Sequence, residues 1–230
     1  VTTNGDVKVR ATDSTKTTAT VGATAGAAGL IGASVGISQV ENSISNSVQA
    51  AIEGSAVDAG SGDVVVEAIA TVSGNAEAQT TSVAAAIGSA VGGAAAVNNI
   101  NSVVDAHVSD TTIKADDVTI AAEQTATVEA ATQQSSAAVG SVSGTAVSAN
   151  NFGSSVSAYA QASNIDAAGN ILIDADSNTT IETNEAVGSS AGFTTAIAGS
   201  VGINQVSNNV TSAVVGGILT ADGSAAILAN

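Results

Sequence analysis

One strand-like motif returns along this 230-residue chain at almost constant intervals, and that repetition limits the possible folds more than any single residue does. Gly5-Asp6-Val7-Lys8-Val9-Arg10-Ala11 matches Gly62-Asp63-Val64-Val65-Val66-Glu67-Ala68. Asp116-Asp117-Val118-Thr119-Ile120-Ala121-Ala122 and Gly169-Asn170-Ile171-Leu172-Ile173-Asp174-Ala175 follow, and a weaker fifth copy begins at Gly223. The starts at 5, 62, 116, 169 and 223 are separated by 57, 54, 53 and 54 residues.

Two further anchors keep the same order within each unit. The second is aligned as Ser38-Gln39-Val40 with Ile44, Asn98-Asn99-Ile100 with Val104, Asn150-Asn151-Phe152 with Val156, and Asn204-Gln205-Val206 with Val210. The third places an aliphatic residue two before an alanine: Val57/Ala59, Ile113/Ala115, Ile165/Ala167 and Leu219/Ala221. On this alignment the distance from the second anchor to the third is 17 residues in the first unit and 13 in the other three.

Inside the anchors the period is two. Val7, Val9 and Ala11 alternate with Lys8 and Arg10, as a half-buried strand requires. Gly, Asp or Asn just before each strand supplies turn chemistry. The expected fold is all-β, a parallel β-helix or β-solenoid of four degenerate repeats of about 54 residues. It runs as one continuous segment over 1–230, with repeats at 5–61, 62–115, 116–168 and 169–222 and the start of a fifth at 223–230. Coils of about 18 or about 27 residues, three or two per repeat, predict a rod roughly 40–60 Å long at ~4.8 Å per coil. The first residues, Val1-Thr2-Thr3, carry no initiator Met, and both ends read as cut from a longer polypeptide.

Composition agrees with thin layers rather than a bulky core. The chain has no Pro, Cys, Met or Trp, and its aromatic residues are Phe152, Phe193 and Tyr159, yet 44% of it is hydrophobic. Twenty Asp and Glu against 4 Lys and Arg give a net charge of −16. That balance argues against nucleic acid, whose phosphates need a basic partner, and against anionic lipid. Without cysteine there is no disulfide scaffold, thiol catalysis or Cys-based zinc site.

Between the first and second anchors lies a Gly/Ala-rich stretch: Val21 to Gly36, Val83 to Val97, Ala137 to Ala149 and Ala186 to Gly202. Val83, Ile87 and Val91 recur every four residues, and Gly pairs such as Gly88/Gly92 do likewise. Four suits one face of a helix and is also twice the strand period. Each glycine costs a helix about 1 kcal/mol relative to Ala, and the runs fall short of the ~20 residues of a membrane span. Flat strands with small side chains are therefore expected, suited to close packing of coils or neighbouring rods, with Ala95 and Ala146 as test positions. Asn98/Asn99, Asn150/Asn151 and Asn204 either stack as amide ladders between coils or sit in turns that tolerate their dihedrals.

Chemistry finds little to work with. Gly32-Ala33-Ser34-Val35-Gly36 matches a hydrolase nucleophile elbow, which needs a strand–turn–helix setting and a histidine partner. The one histidine, His107, lies two residues from Asp105 on the same face of an alternating strand, within reach of a hydrogen bond. No catalytic, cofactor-binding or metal-binding residues are expected, and the chain reads as a non-enzyme. Calcium is expected at most as an incidental occupant near Asp116, Asp117, Asp174 and Asp176, since the calcium-binding nonapeptide of β-rolls is absent. Thr17/Thr18, Thr80/Thr81, Thr111/Thr112 and Thr179/Thr180 do not fall at one repeat position, so an ice-binding Thr array has weak support.

Units of Gly-Asp-Val-x-Val-x-Ala, then Ile31-Gly32-Ala33-Ser34-Val35-Gly36-Ile37, then Asn-Asn-Ile with alternating Val and Ala, resemble repeats of giant bacterial exoproteins. The resemblance is to leukotoxin-type and filamentous haemagglutinin-like adhesins, and it spans essentially the whole chain. It implies a β-helical shaft, secreted and displayed at the cell surface, that self-associates or meets a host or neighbouring cell. It carries over no functional residue. The expectation is a structural segment of an extracellular fibre, with surface binding of a receptor, glycan or ice as the alternative, no membrane span and no nucleic-acid partner.

Overall fold

The chain folds into two long parallel sheets that face each other, with each sequence repeat making one full turn. The computed structural model describes residues 1–85 and 87–230. The strands are β1 (Val7–Ala27), β2 (Ile31–Glu53), β3 (Ala56–Asp58), β4 (Val64–Ala84), β5 (Ile87–Ser109), β6 (Thr112–Ala115), β7 (Val118–Ala138), β8 (Ser141–Ala167), β9 (Ile171–Gly192), β10 (Thr195–Ala221) and β11 (Ala225–Ala229). One sheet has the order β1-β4-β7-β9-β11; the other contains β2-β5-β8-β10, with the short β6 pairing along the end of β8 and β3 pairing with β6. All these pairings are parallel.

The register fixes the coil. Val7 pairs with Val64, Val64 with Val118, Val118 with Ile171, and Ile171 with Ala225, reproducing the spacings of 57, 54, 53 and 54 residues. A coil is therefore a whole repeat, and the 18- and 27-residue alternatives are both wrong. The reason is strand length: β1 runs 21 residues and β2 runs 23 without a break, so one out-and-back pair uses most of a unit. The shape is corrected with it. Four coils stack to about 20 Å while the strands run about 70 Å, so the body is a broad slab rather than a 40–60 Å rod.

The register also corrects the second anchor in the first repeat. Asn42, not Ser38, pairs with Asn98, and Ser38 pairs with Ala94. Moving the anchor by four residues turns the anomalous 17 into 13, the interval of the other units. Asn42, Asn98, Asn150 and Asn204 then form one row, buried in its first three members and exposed at Asn204 in the last coil. Asn42 Nδ2 donates to Asn98 Oδ1 (3.1 Å), Asn98 Nδ2 to Asn150 Oδ1 (2.8 Å), and Asn150 Nδ2 to Asn204 Oδ1 (3.2 Å). Their amides also donate across the core to the backbone carbonyls of Asn75, Glu129 and Thr183. These residues lie in mid-strand, so the ladder reading holds and the turn reading does not.

The interior tapers along the strands. Near the end where β3 and β6 close the coil it is filled by Val64, Val66, Val104, Val108, Ile113, Ile165 and Ile173, each 0–1% exposed. At ~1.5–3 kcal/mol per buried aliphatic side chain, this is the main apolar anchor of the slab. Midway, Ile44, Ile100 and Phe152 pack on Val72 and Val128. Beyond the asparagine row the apolar core thins to Val40 and alanines such as Ala76, Ala78, Ala94 and Ala96, then Ala84, Ala90 and Val142.

Turns repeat as regularly as strands. Asp6 Oδ1 accepts from the Asp63 N–H (3.2 Å), Asp63 Oδ1 from Asp117 (3.2 Å), Asp117 Oδ1 from Asn170 (2.6 Å), and Asn170 Oδ1 from Ser224 (3.0 Å). The Gly-Asp signature thus caps the next coil's backbone. At the opposite corner Gly54, Asp110, Ala162 and Gly216 all take left-handed backbone, with φ of 56°, 52°, 48° and 63°.

Candidate interaction surface

Half of the second sheet is built inside out. Along β2, Ile31, Val35 and Ile37 face solvent while Gly32, Ser34, Gly36 and Ser38 face the first sheet. In β5 the outward residues are Ile87, Val91 and Val97, and the inward ones Gly88, Ala90, Gly92 and Ala94. β10 repeats the order with Ile197, Val201 and Ile203 facing out. Ile31 is 88% exposed, Ile37 71%, Ile87 73% and Ile197 61%. Since β side chains alternate strictly, the same strands reverse their apolar face near the asparagine row, where Ile44, Ile100 and Phe152 point inward.

The inward glycines explain why this arrangement packs. Gly36, Gly92 and Gly144 form one row across β2, β5 and β8. A Cβ on Gly92 would lie 2.5 Å from the Gln134 amide and the Ser136 hydroxyl, and one on Gly36 2.6 Å from the Ser82 hydroxyl. The missing side chains leave room for Thr80, Ser82, Gln134 and Ser136, which project from the first sheet and are buried. Small polar residues fill the inside here, and the large aliphatics go outside. Gly88/Gly92 are therefore positions on an inner strand face rather than helix contacts, while Gly22/Gly26 lie on the outer face of β1.

Charge is segregated along the same axis. Residues 17–40, 78–104, 130–165 and 186–221 contain no Asp, Glu, Lys or Arg. Each stretch covers the turn that links the two sheets at the tip and the strands running from it, so the −16 net charge lies toward the other end. At the turns Leu30 is 92% and Phe193 88% exposed. Glu41 marks the inner border of the apolar area, its Oε1 accepting from Asn99 Nδ2 at 2.7 Å. Beyond that border lies an open groove lined by Ser43, Asn99, Asn101, Asn151 and Gln205.

The one histidine belongs to the charged half. His107 Nε2 meets Glu53 Oε1 at 2.9 Å, and Nδ1 meets Asp105 Oδ1, the hydrogen bond expected from alternation. Ser157 Oγ donates to Asp105 Oδ2 (2.9 Å), so the group ties three successive coils. Burial disfavours the charged ring, but hydrogen bonds to Glu53 and Asp105 and attraction to both carboxylates outweigh it, holding the His107 pKa above its ordinary value. Burial, then the Asp105 and Glu53 charges, pushes the Tyr159 hydroxyl up as well.

Ser34 sits on the inner face of unbroken β2, with its Oγ buried and unpaired. It has neither the strand–turn–helix setting nor a histidine beside it. Asp117 is committed to its turn cap, while Asp174 and Asp176 lie apart on β9. Among the described residues no group of three or more His, Asp or Glu is placed to hold a metal ion. Desolvation, followed by repulsion from Asp176, raises the pKa of Asp174.

Hydroxyls do line up on the outer face of the first sheet. Ser14, Thr71 and Thr125 form one row that ends at Asn178, and Ser73, Thr127 and Thr180 form another that starts at Lys16. No helix among the described residues is long and apolar enough to cross a membrane. No protein-family model, curated protein or solved structure matches the chain.

Proposed function

We propose that this chain is a structural segment of an extracellular bacterial surface fibre or filamentous adhesin, and that it contributes breadth and stiffness more than reach. The observation that carries this reading is the unbroken asparagine row, which runs through every coil in one register together with both sheets. A body whose buried polar groups are bonded from coil to coil resists bending and shear. The resemblance to filamentous adhesin repeats supports the surface location. Each coil spends a whole repeat on about 4.8 Å of height, so the same length of chain in shorter coils would reach about two or three times as far. What the long coil supplies is a wide, regular face.

The test is immunogold electron microscopy of intact producing cells, with antibodies raised against this chain. Label on extracellular material projecting from the cell supports the reading; label confined to the cell interior rejects it.

The two hydroxyl rows favour a second reading, in which the outer face of the first sheet binds an ordered surface such as ice. Glu123 and Glu129 flank those rows on β7 and interrupt the pattern. Thermal hysteresis of the purified chain decides it, and freezing without hysteresis removes this reading.

A further inference from the structure

We propose that a second copy of this chain docks face to face on the inside-out half of the second sheet, pairing two slabs through their uncharged ends. The inference rests on the structural reading above and names the partner of that segment.

The surface itself argues for an occupant. Ile31, Val35, Ile37, Ile87 and Val91 lie on one flat face, with Val147 on the adjoining strand. A soluble protein gains nothing by pointing these outward while lining its interior with glycine and serine, unless another surface covers them. From Ile31 to Glu41 the face runs about 33 Å, and four strands give it a width of about 19 Å. Two such faces bury about 1,200 Å² together, the lower bound for a stable specific interface.

Two observations select a copy of the chain over a lipid surface. The first is sidedness. At the same level the first sheet shows Thr24, Thr81, Ser135 and Ser189 outward, in one row. Insertion of the tip into lipid would bury these hydroxyls along with the apolar face, whereas a docked slab covers one side only. Ser89, Ser141, Ser143 and Thr145 are also scattered over the apolar face itself, where a protein surface can bond them. The second is charge. A two-fold arrangement joins uncharged halves and holds the acidic ends apart, so a net charge of −16 per copy does not oppose association.

The experiment is sedimentation velocity on the intact chain at up to about 100 μM, where a dimer of micromolar affinity is populated. The expected result is a monomer–dimer equilibrium weakened at least about tenfold by Ile37→Glu or Val91→Glu. Thr127→Glu, on the outer face of the first sheet, leaves it unchanged. Circular dichroism and melting of each variant separate loss of docking from loss of fold. The chain has no cysteine, so Ala95→Cys places a single thiol on the face, and oxidation should yield a covalent dimer that Thr127→Cys does not.

A wild type that stays monomeric overturns the proposal. So does a dimer indifferent to both glutamate substitutions, which would place association on strand edges, or flotation of monomer with neutral phosphatidylcholine vesicles, which would make the occupant lipid. None of these outcomes bears on where immunogold label appears, so this inference and the fibre reading fail separately.

Discussion

His107 lies flat on Tyr159, with ring centroids 4.8 Å apart and planes 3° from parallel, one coil stacked on the next. The imidazole is sandwiched at its edges by Glu53 and Asp105, and its raised pKa means that the folded state holds the proton more tightly than the unfolded chain does. The sign follows from that. The stabilisation is complete below the ordinary histidine value and is lost as pH rises through the higher folded value. We expect the melting temperature to fall across that window, by about 2–4 °C for each kcal/mol lost. Melting curves from mildly acidic to mildly alkaline pH check this, and His107→Gln should flatten the step.

The asparagine row should be the most sensitive polar feature of the core. Asn98→Ala removes the middle amide, taking the acceptor from Asn42 Nδ2 and the donors from Asn150 Oδ1 and the Glu129 carbonyl, at a cost of about 2–3 kcal/mol. Asn98→Asp should be worse at neutral pH, since it buries a carboxylate, and should recover in acid as that group protonates. Urea unfolding at both pH values distinguishes the two variants. A wild-type midpoint for Asn98→Ala would show that the ladder contributes nothing net.

Ala162 occupies a corner where two of the four coils have glycine, and its φ of 48° places it in left-handed backbone. Ala162→Gly should therefore stabilise the chain by up to about 1 kcal/mol, because the strain removed exceeds the flexibility gained. Thermal denaturation reads the effect, and a loss of stability would mean that the Ala162 methyl packs better than its backbone suggests.

Ala95 and Ala146 now test different things. Ala146 is 1% exposed between the sheets, and Ala146→Leu should cost about 1–3 kcal/mol by overpacking. Ala95 faces outward, so Ala95→Leu should leave the monomer's melting within about 0.5 kcal/mol of wild type. Equal losses in both variants would contradict the assigned strand faces.

Ser34 Oγ has no hydrogen-bond partner, so Ser34→Ala should be neutral or slightly stabilising. A fluorophosphonate probe should leave the wild-type chain unlabelled. Labelling that disappears in Ser34→Ala would revive the nucleophile reading and refute the burial argument.

The strand frames were legible because Val7, Val9 and Ala11 alternate with charged residues, and so do their counterparts. Coil length was not, because a period of two says which way a side chain points and nothing about where a sheet ends. The first asparagine was misplaced because Ser38-Gln39-Val40 and Asn42-Ser43-Ile44 both fit a polar-polar-aliphatic pattern, and only pairing to Asn98 separates them. The apolar middle was visible as a run of strands with small side chains. Its inside-out orientation was hidden, since alternation reads identically whichever face is called inner. The left-handed corner left no trace in the sequence, as Gly, Asp, Ala and Gly share no side-chain chemistry.

The asparagine row also has a direction. Every amide donates from the lower-numbered coil to the higher, leaving Asn42 Oδ1 as the acceptor end of the row and Asn204 Nδ2 as the donor end. The dipoles add, and the stack acquires a plus and a minus pole that its sheets alone would not give it. A coil presented in the reverse sense would meet donor with donor. The ladder thus acts as an arrow built into the core, allowing each coil to template its successor in one orientation and rejecting the inverted one.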